Sequence, residues 1–211
     1  MRRYRLMLIT PLELIKTYVS TKTLKIVPKK QSTRRLLETR NRGSPARLYK
    51  LNKSLAPVQK GVIISKEFGG LLDIAATSMD ADLNQWIMKH YDPEMSQIVI
   101  PDRGKIHVDA ASVHRIWGLP NRDRNVCFEN RPDITKAIYN IYNITTKNSP
   151  TLTAWCKMIG YMNGAYDDDF LRAWLAVAFS RFLAPSTSLS ISPKSFPAVM
   201  DVNGIIETNI C

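Results

Sequence analysis

Residues 170–183 constrain the fold more than any other part of the chain. They contain Phe170, Leu171, Trp174, Leu175, Val177, Phe179, Phe182 and Leu183. On a helix of 3.6 residues per turn these positions cover most of the circumference. A helix apolar on nearly all sides has to be enclosed by other elements. The segment is too short to cross a bilayer and carries Arg172 and Arg181, so the enclosure is protein. Asp167 is placed to cap its start and Pro185 to stop it.

The rest of the chain offers elements for that shell. Across residues 78–91, Met79, Leu83, Trp86 and Ile87 share one helical face, with Asp80 and Asp82 in the first turn and Pro93 beyond the end. Ile98 and Ile100, then Asp102-Arg103-Gly104-Lys105, then Ile106 and Val108 spell a hairpin with its aliphatics on one side. Such a ribbon needs helices beneath it. Asp109 reads as an N-cap, with Val108 and Val113 placed as a hydrophobic staple. Val113, Ile116 and Trp117 form the inward stripe, Gly118 the C-cap and Pro120 the stop. Asp133 is expected to cap a helix striped by Ile134, Ile138 and Ile141. Ser149-Pro150 is expected to start another, striped by Leu152, Trp155, Cys156, Ile159 and Met162. A last helix is expected from about Pro197 onward, with the chain stopping inside it at Cys211, as if truncated. The fold class is therefore mainly α: a helical domain with one small β-hairpin.

Charge divides the chain. Residues 1–60 hold 16 Lys and Arg against Glu13 and Glu38, a balance of +14; residues 61–211 hold 14 against 16, a balance of −2. The first 60 residues read as a largely disordered basic tail, with a weak helical signal at 12–19, and residues 61–211 as the helical domain. Arg2, Arg3 and Arg5 precede an apolar run that Pro11 and Glu13 cut short, which excludes a signal peptide. An Arg-rich, acid-poor start with Ser and Thr also fits an organellar transit peptide, against which the basic stretch runs on too far. Lys29, Lys30, Arg34, Arg35, Arg40, Arg42 and Arg47 are the candidate nucleic-acid contacts. A basic tail without interleaved aromatics would hold phosphates without reading sequence. Its other reading is a nuclear-import signal or a solvated linker.

Residues 82–126 resemble the plant mobile domain. The likeness rests on Leu83-Asn84-Gln85-Trp86-Ile87, on the hairpin leading into Ile106-His107-Val108-Asp109, and on the helix closing in Gly118-Leu119-Pro120, followed by Val126. His107 and Ala110 stand where that family's pattern has a threonine and an acidic residue or valine. The resemblance implies a transposon-derived origin, a helical domain without aminotransferase chemistry, and a nuclear role, with the cytoplasm as the alternative. It also admits a second identity, the N-terminal part of a larger cysteine protease of grasses acting on ubiquitin-like modifiers.

Catalytic chemistry is weakly signalled. The cysteines are Cys127, Cys156 and Cys211, and the histidines His90, His107 and His114. Cys156 lies on an apolar stripe, where inert cysteines sit. His107, His114 and Cys127 lack the tight pairs of structural zinc sites. Asp167-Asp168-Asp169 at a helix start reads as cap and dipole compensation rather than a metal pair. Gly69-Gly70 lacks the Gly-Lys-Ser/Thr of a phosphate loop. Trp86, Trp117, Trp155 and Trp174 all lie on apolar stripes and read as core. The expectation is a non-enzymatic interaction module with no cofactor, metal, membrane or small-molecule partner. Its partners are expected to be nucleic acid through the tail and a protein not identifiable from sequence.

Overall fold

The chain divides into two units, Met1–Thr39 and Arg40–Cys211. A computed structural model describes residues 45–75, 80–145, 149–162, 168–185 and 190–211. The expected disorder and helical signal of residues 1–44, Met79 and the Asp167 cap lie outside the described residues.

Eight α-helices are found among the described residues: α1 (Pro45–Ser54), α2 (Pro57–Ser65), α3 (Ala81–His90), α4 (Ala110–Trp117), α5 (Pro132–Ile141), α6 (Leu152–Tyr161), α7 (Asp168–Ala178) and α8 (Phe196–Met200). The α7 helix is the centre, as its all-round apolarity demands. Phe170 through Ala178 are all buried, and the helix runs on into a wider π-helical turn, Phe179–Leu183. Helices α2, α6 and α8 pack on α7, α1 packs on the π turn, and α5 packs on α8.

Two indole N–H groups in this core are satisfied, as burial requires. Trp155 donates to the Ala173 carbonyl at 3.0 Å and Trp174 to Asn52 Oδ1 at 3.0 Å. Trp155 also stacks on Phe196 and meets Tyr142 edge-on, while Trp117 meets Phe182 edge-on. The buried Arg172 guanidinium pairs with Asp169 and donates to the Met200 carbonyl.

The boundary drawn at residue 60 is corrected. Residues 45–60 are not tail: Leu48, Leu51 and Leu55 are buried in the core together with Ile63 of α2. Their spacing of three and four residues is itself an amphipathic stripe, and Pro45 and Pro57 open the two helices. The basic residues between them had masked that pattern.

The expected hairpin is present, with β2 (Gln97–Ile100) antiparallel to β3 (Gly104–His107) and Ile98 opposite Ile106. Left-handed backbone at Asp102 (φ 60°) and Gly104 (φ 111°) makes the turn. A third strand, β1 (Tyr91–Asp92), adds to β2, so the sheet has three strands rather than two. A separate parallel pair joins β4 (Arg124–Asn125) to β5 (Thr208–Asn209). The final helix stops at Met200, and a 3₁₀ turn (Gly204–Glu207) leads into β5, so Cys211 does not lie in a helix.

Smaller differences have local causes. In α4, Asp109 and Ser112 form a reciprocal capping box and Gly118 closes the helix in the left-handed region, as expected. Val113 and Trp117 pack on the core, but Ile116 is 44% exposed. The α5 helix starts at Pro132, and Asp133 pairs with Arg131 instead of capping. The α6 helix is capped by Thr151, whose hydroxyl accepts from the Ala154 N–H. Trp86 is only half-buried, stacked on His90 with ring centroids 4.2 Å apart.

Candidate nucleic-acid interface

From Thr39 to Lys66 the chain has no acidic residue and seven cations: Arg40, Arg42, Arg47, Lys50, Lys53, Lys60 and Lys66. Folding sorts those on the helices by period. In α1, Leu48, Leu51 and Asn52 turn inward, which leaves Arg47, Lys50 and Lys53 exposed along the opposite side at spacings of three. The acid-free helices α1 and α2 therefore carry a cationic edge.

Polar contacts hold this edge in place. Asn52 Nδ2 donates to the Leu71 carbonyl at 2.8 Å while its Oδ1 accepts from Trp174, so one amide ties α1 to α7 and to the 3₁₀ turn Gly69–Asp73. The Gln59 side chain accepts from the Ala56 N–H at 2.8 Å and donates to the Met162 carbonyl at 2.7 Å, which anchors the start of α2. Lys66 Nζ donates to Asn203 Oδ1.

Between α1, α2 and that turn lies a groove of about 410 Å³, bordered by Tyr49, Lys53, Lys60, Ile64, Leu72 and Asp73. Lys53 Nζ lies 5.5 Å from the Tyr49 ring centroid, a cation–π distance. Ile64, on the α2 side, is 60% exposed. A second, more open hollow of about 440 Å³ lies by α5 and includes Thr135, Lys136 and Tyr139.

Of the seven cations expected to touch nucleic acid, Arg47 is placed, exposed, on α1. Lys29, Lys30, Arg34, Arg35, Arg40 and Arg42 lie outside the described residues. The sequence reading singled out Arg47 but not Lys50, Lys53, Lys60 or Tyr49, because it did not recognise the helical period of residues 45–60 that aligns them. The stripe Leu48, Leu51, Leu55 between two prolines was the signal that could have found them.

The groups with catalytic chemistry are differently disposed. All three thiols are free, and each has its pKa pushed upward. Local desolvation and the neighbouring Glu129 carboxylate raise Cys127. Burial raises Cys156 against the opposing charges of Arg47 and Arg181, and burial raises Cys211. The thiolate is the nucleophile, so all three are mostly in the unreactive form at neutral pH. The imidazoles of His90 and His114 each donate through Nδ1, to the Trp86 and Leu119 carbonyls respectively. Among the described residues no three His, Cys, Asp or Glu side chains are grouped to hold a metal ion, and no helix is long and apolar enough to cross a membrane.

These observations define a class: a small α-rich domain in which the first described helix, α1, presents a cationic edge beside α2. The chain belongs to the family described as "Domain of unknown function (DUF8566)", whose model matches residues 41–211 and so begins just ahead of α1. No curated protein and no solved structure matches the chain.

Proposed function

We propose that this chain is a non-enzymatic, transposon-derived interaction module of the nucleus that holds nucleic acid electrostatically, through its basic N-terminal stretch and the adjoining edge of α1. The carrying observation is the acid-free run 39–66, whose exposed row Arg47, Lys50 and Lys53 extends the basic residues 1–44 onto the folded domain. Redrawn at the start of α1, residues 1–44 hold 12 cations and two acids, a balance of +10, and residues 45–211 hold 18 and 16, a balance of +2. Such a field attracts phosphates and leaves bases unread.

The raised thiol pKa values support the non-enzymatic reading. The transposon origin and the nuclear role rest on the sequence likeness to the plant mobile domain; at its Gly-Leu-Pro closure, Gly118 takes the left-handed conformation while Leu119 and Pro120 are buried.

Filter binding of the full chain to two unrelated DNA duplexes tests the proposal. Equal affinity for both is expected, with a steep loss as salt rises. Six to ten phosphate contacts would cost roughly 10³–10⁵ in affinity between 50 and 200 mM salt. Replacing Lys29, Lys30, Arg34, Arg35, Arg40 and Arg42 by Gln should lower the slope of log affinity against log salt by about 0.9 per lost contact. Binding that is absent, or indifferent to salt, overturns the proposal and leaves the tail an import signal or a linker.

A further inference from the structure

The geometry points to the groove between α1 and α2 as a subsite for one nucleotide of a single strand. This inference rests on the electrostatic reading above and adds to it a preference for an unpaired base.

Three observations converge on this ligand. The volume of about 410 Å³ falls within the range of sites that enclose small ligands, roughly 300–1,000 Å³. It has room for a base and its sugar, whereas a duplex, with its bases stacked inside, could only lie across the mouth. The cations Lys53 and Lys60 border the groove from different helices, on a run of chain without an acid, so a phosphate on either side of an inserted nucleoside would meet a counter-charge. The lining also offers what a base needs: the Tyr49 ring and the aliphatic Ile64, Leu72 and Ile74, with the carboxylate of Asp73 able to accept from a ring or exocyclic N–H, which every base has.

Exposure of Ile64 fits the same reading. An isoleucine 60% exposed beside two lysines contributes little to folding, yet it offers an apolar surface to a base entering the groove. Stacking on aromatic and aliphatic surface tolerates any base, so the subsite would favour single strands over duplexes without selecting sequence.

The test is fluorescence anisotropy of the full chain with labelled oligothymidylate, oligouridylate and a mixed-sequence duplex, in wild type and four variants. Tyr49→Leu should weaken oligothymidylate binding roughly five- to a hundredfold, the span of one base–aromatic stack, and barely change duplex binding. Tyr49→Phe should restore it. Ile64→Gln, at an exposed position where folding is not at risk, should weaken single-strand binding without affecting the duplex. Lys53→Gln should reduce the salt slope for single strands by about 0.7. Equal loss for oligouridylate and oligothymidylate is expected if the pocket takes base and phosphate alone; a loss confined to one strand type would also support the subsite and show that it senses the 2′-hydroxyl or the C5 methyl. If all four variants bind single strands as wild type does while duplex binding stays salt-dependent, the groove is not a nucleotide site and the electrostatic proposal stands. If neither single strand nor duplex binds, both fall.

Discussion

The helices α7 and α3 each carry one tryptophan and an apolar stripe, and the chain treats them oppositely. In α7, nine of eleven residues are buried; in α3, none is. Trp174 is fully buried, its N–H given to a buried amide on α1, while Trp86 is half-buried against a neighbouring histidine on its own helix. The difference lies in how far apolarity extends round the helix. An all-round apolar segment can only sit inside a shell, but a one-sided stripe needs cover on one side, and for α3 that cover is the small sheet, through β2. The contrast shows that a stripe identifies a helix but not how deeply it is buried.

The largest effect is expected where the contrast is greatest. Trp174→Ala should destabilise the domain by about 3–5 kcal/mol, the cost of emptying a large aromatic site in a packed core. Domains are stable by only about 5–15 kcal/mol, so this variant stands near the limit of folding. Trp86→Ala should cost less than about 1.5 kcal/mol, the scale of a partly exposed ring losing one stacked neighbour. Urea melts of the two variants measure the difference directly. Equal losses would mean that α3 is as much part of the core as α7.

A narrower substitution separates packing from hydrogen bonding. Trp174→Phe keeps an aromatic ring but leaves Asn52 Oδ1 without the donor it has now, in a position only 4% exposed. A loss of about 1–3 kcal/mol is expected, the cost of a buried acceptor left unsatisfied. Replacing both partners, as in Trp174→Phe with Asn52→Leu, should recover part of it. A double variant no better than the single one would place the cost in the shape of the indole instead.

The same contrast marks what was legible in the sequence. The central helix, the hairpin, the Asp109 cap and the Gly118 closure rest on local rules and are all present, although the central helix ends in a π turn and the hairpin stops at His107, leaves Val108 exposed and gains a third strand. What escaped depended on distant partners. The α1 helix reads as charged tail until it packs on the π turn and Leu48, Leu51 and, just past it, Leu55 join the core. The two-residue strands β1, β4 and β5 are too short for any periodicity, and β4 and β5 pair across more than eighty residues of chain. Gly70, read only as part of a failed phosphate-loop pattern, is required because the Gly69–Asp73 turn passes directly over the end of α4: a Cβ there would run into the Trp117 carbonyl. Gly70→Ala should therefore cost about 1–3 kcal/mol, the range for an atom forced into filled space, as read by thermal melting. The candidate interface was half legible. Arg47 was named, whereas the groove beside it exists only once α2 and the 3₁₀ turn have been brought against α1.

The smallest expected effect tests whether the α3–sheet region can open without the core. Two carboxylates secure that region and its exit into α4. Asp92 accepts from the Glu94 and Met95 N–H groups and from the Gln97 side chain in the loop joining β1 and β2. Asp109 caps α4 immediately after β3, accepting from Ser112. These hydrogen bonds hold both carboxyls below the usual carboxylate range: the Met95 N–H is the main cause for Asp92 and the Ser112 hydroxyl for Asp109. A carboxyl whose pKa is depressed on folding stabilises the fold above its unfolded pKa, about 3.9, and loses that contribution as pH falls through its folded value. Acid should therefore loosen the sheet and the start of α4 first, below about pH 4, while the buried stretch of α7 from Ala173 to Ala178, beyond the Asp169–Arg172 pair, keeps its protection. Native-state hydrogen exchange, expressed as protection factors at pH 5 and at successively lower pH, resolves the two regions. Asp92→Asn with Asp109→Asn keeps an acceptor oxygen at each position and removes the titrating proton, so the early loss of sheet protection should disappear in that variant. If α7 and the sheet lose protection together in the wild type, the two regions form one cooperative unit, and the contrast in burial between α3 and α7 does not extend to stability.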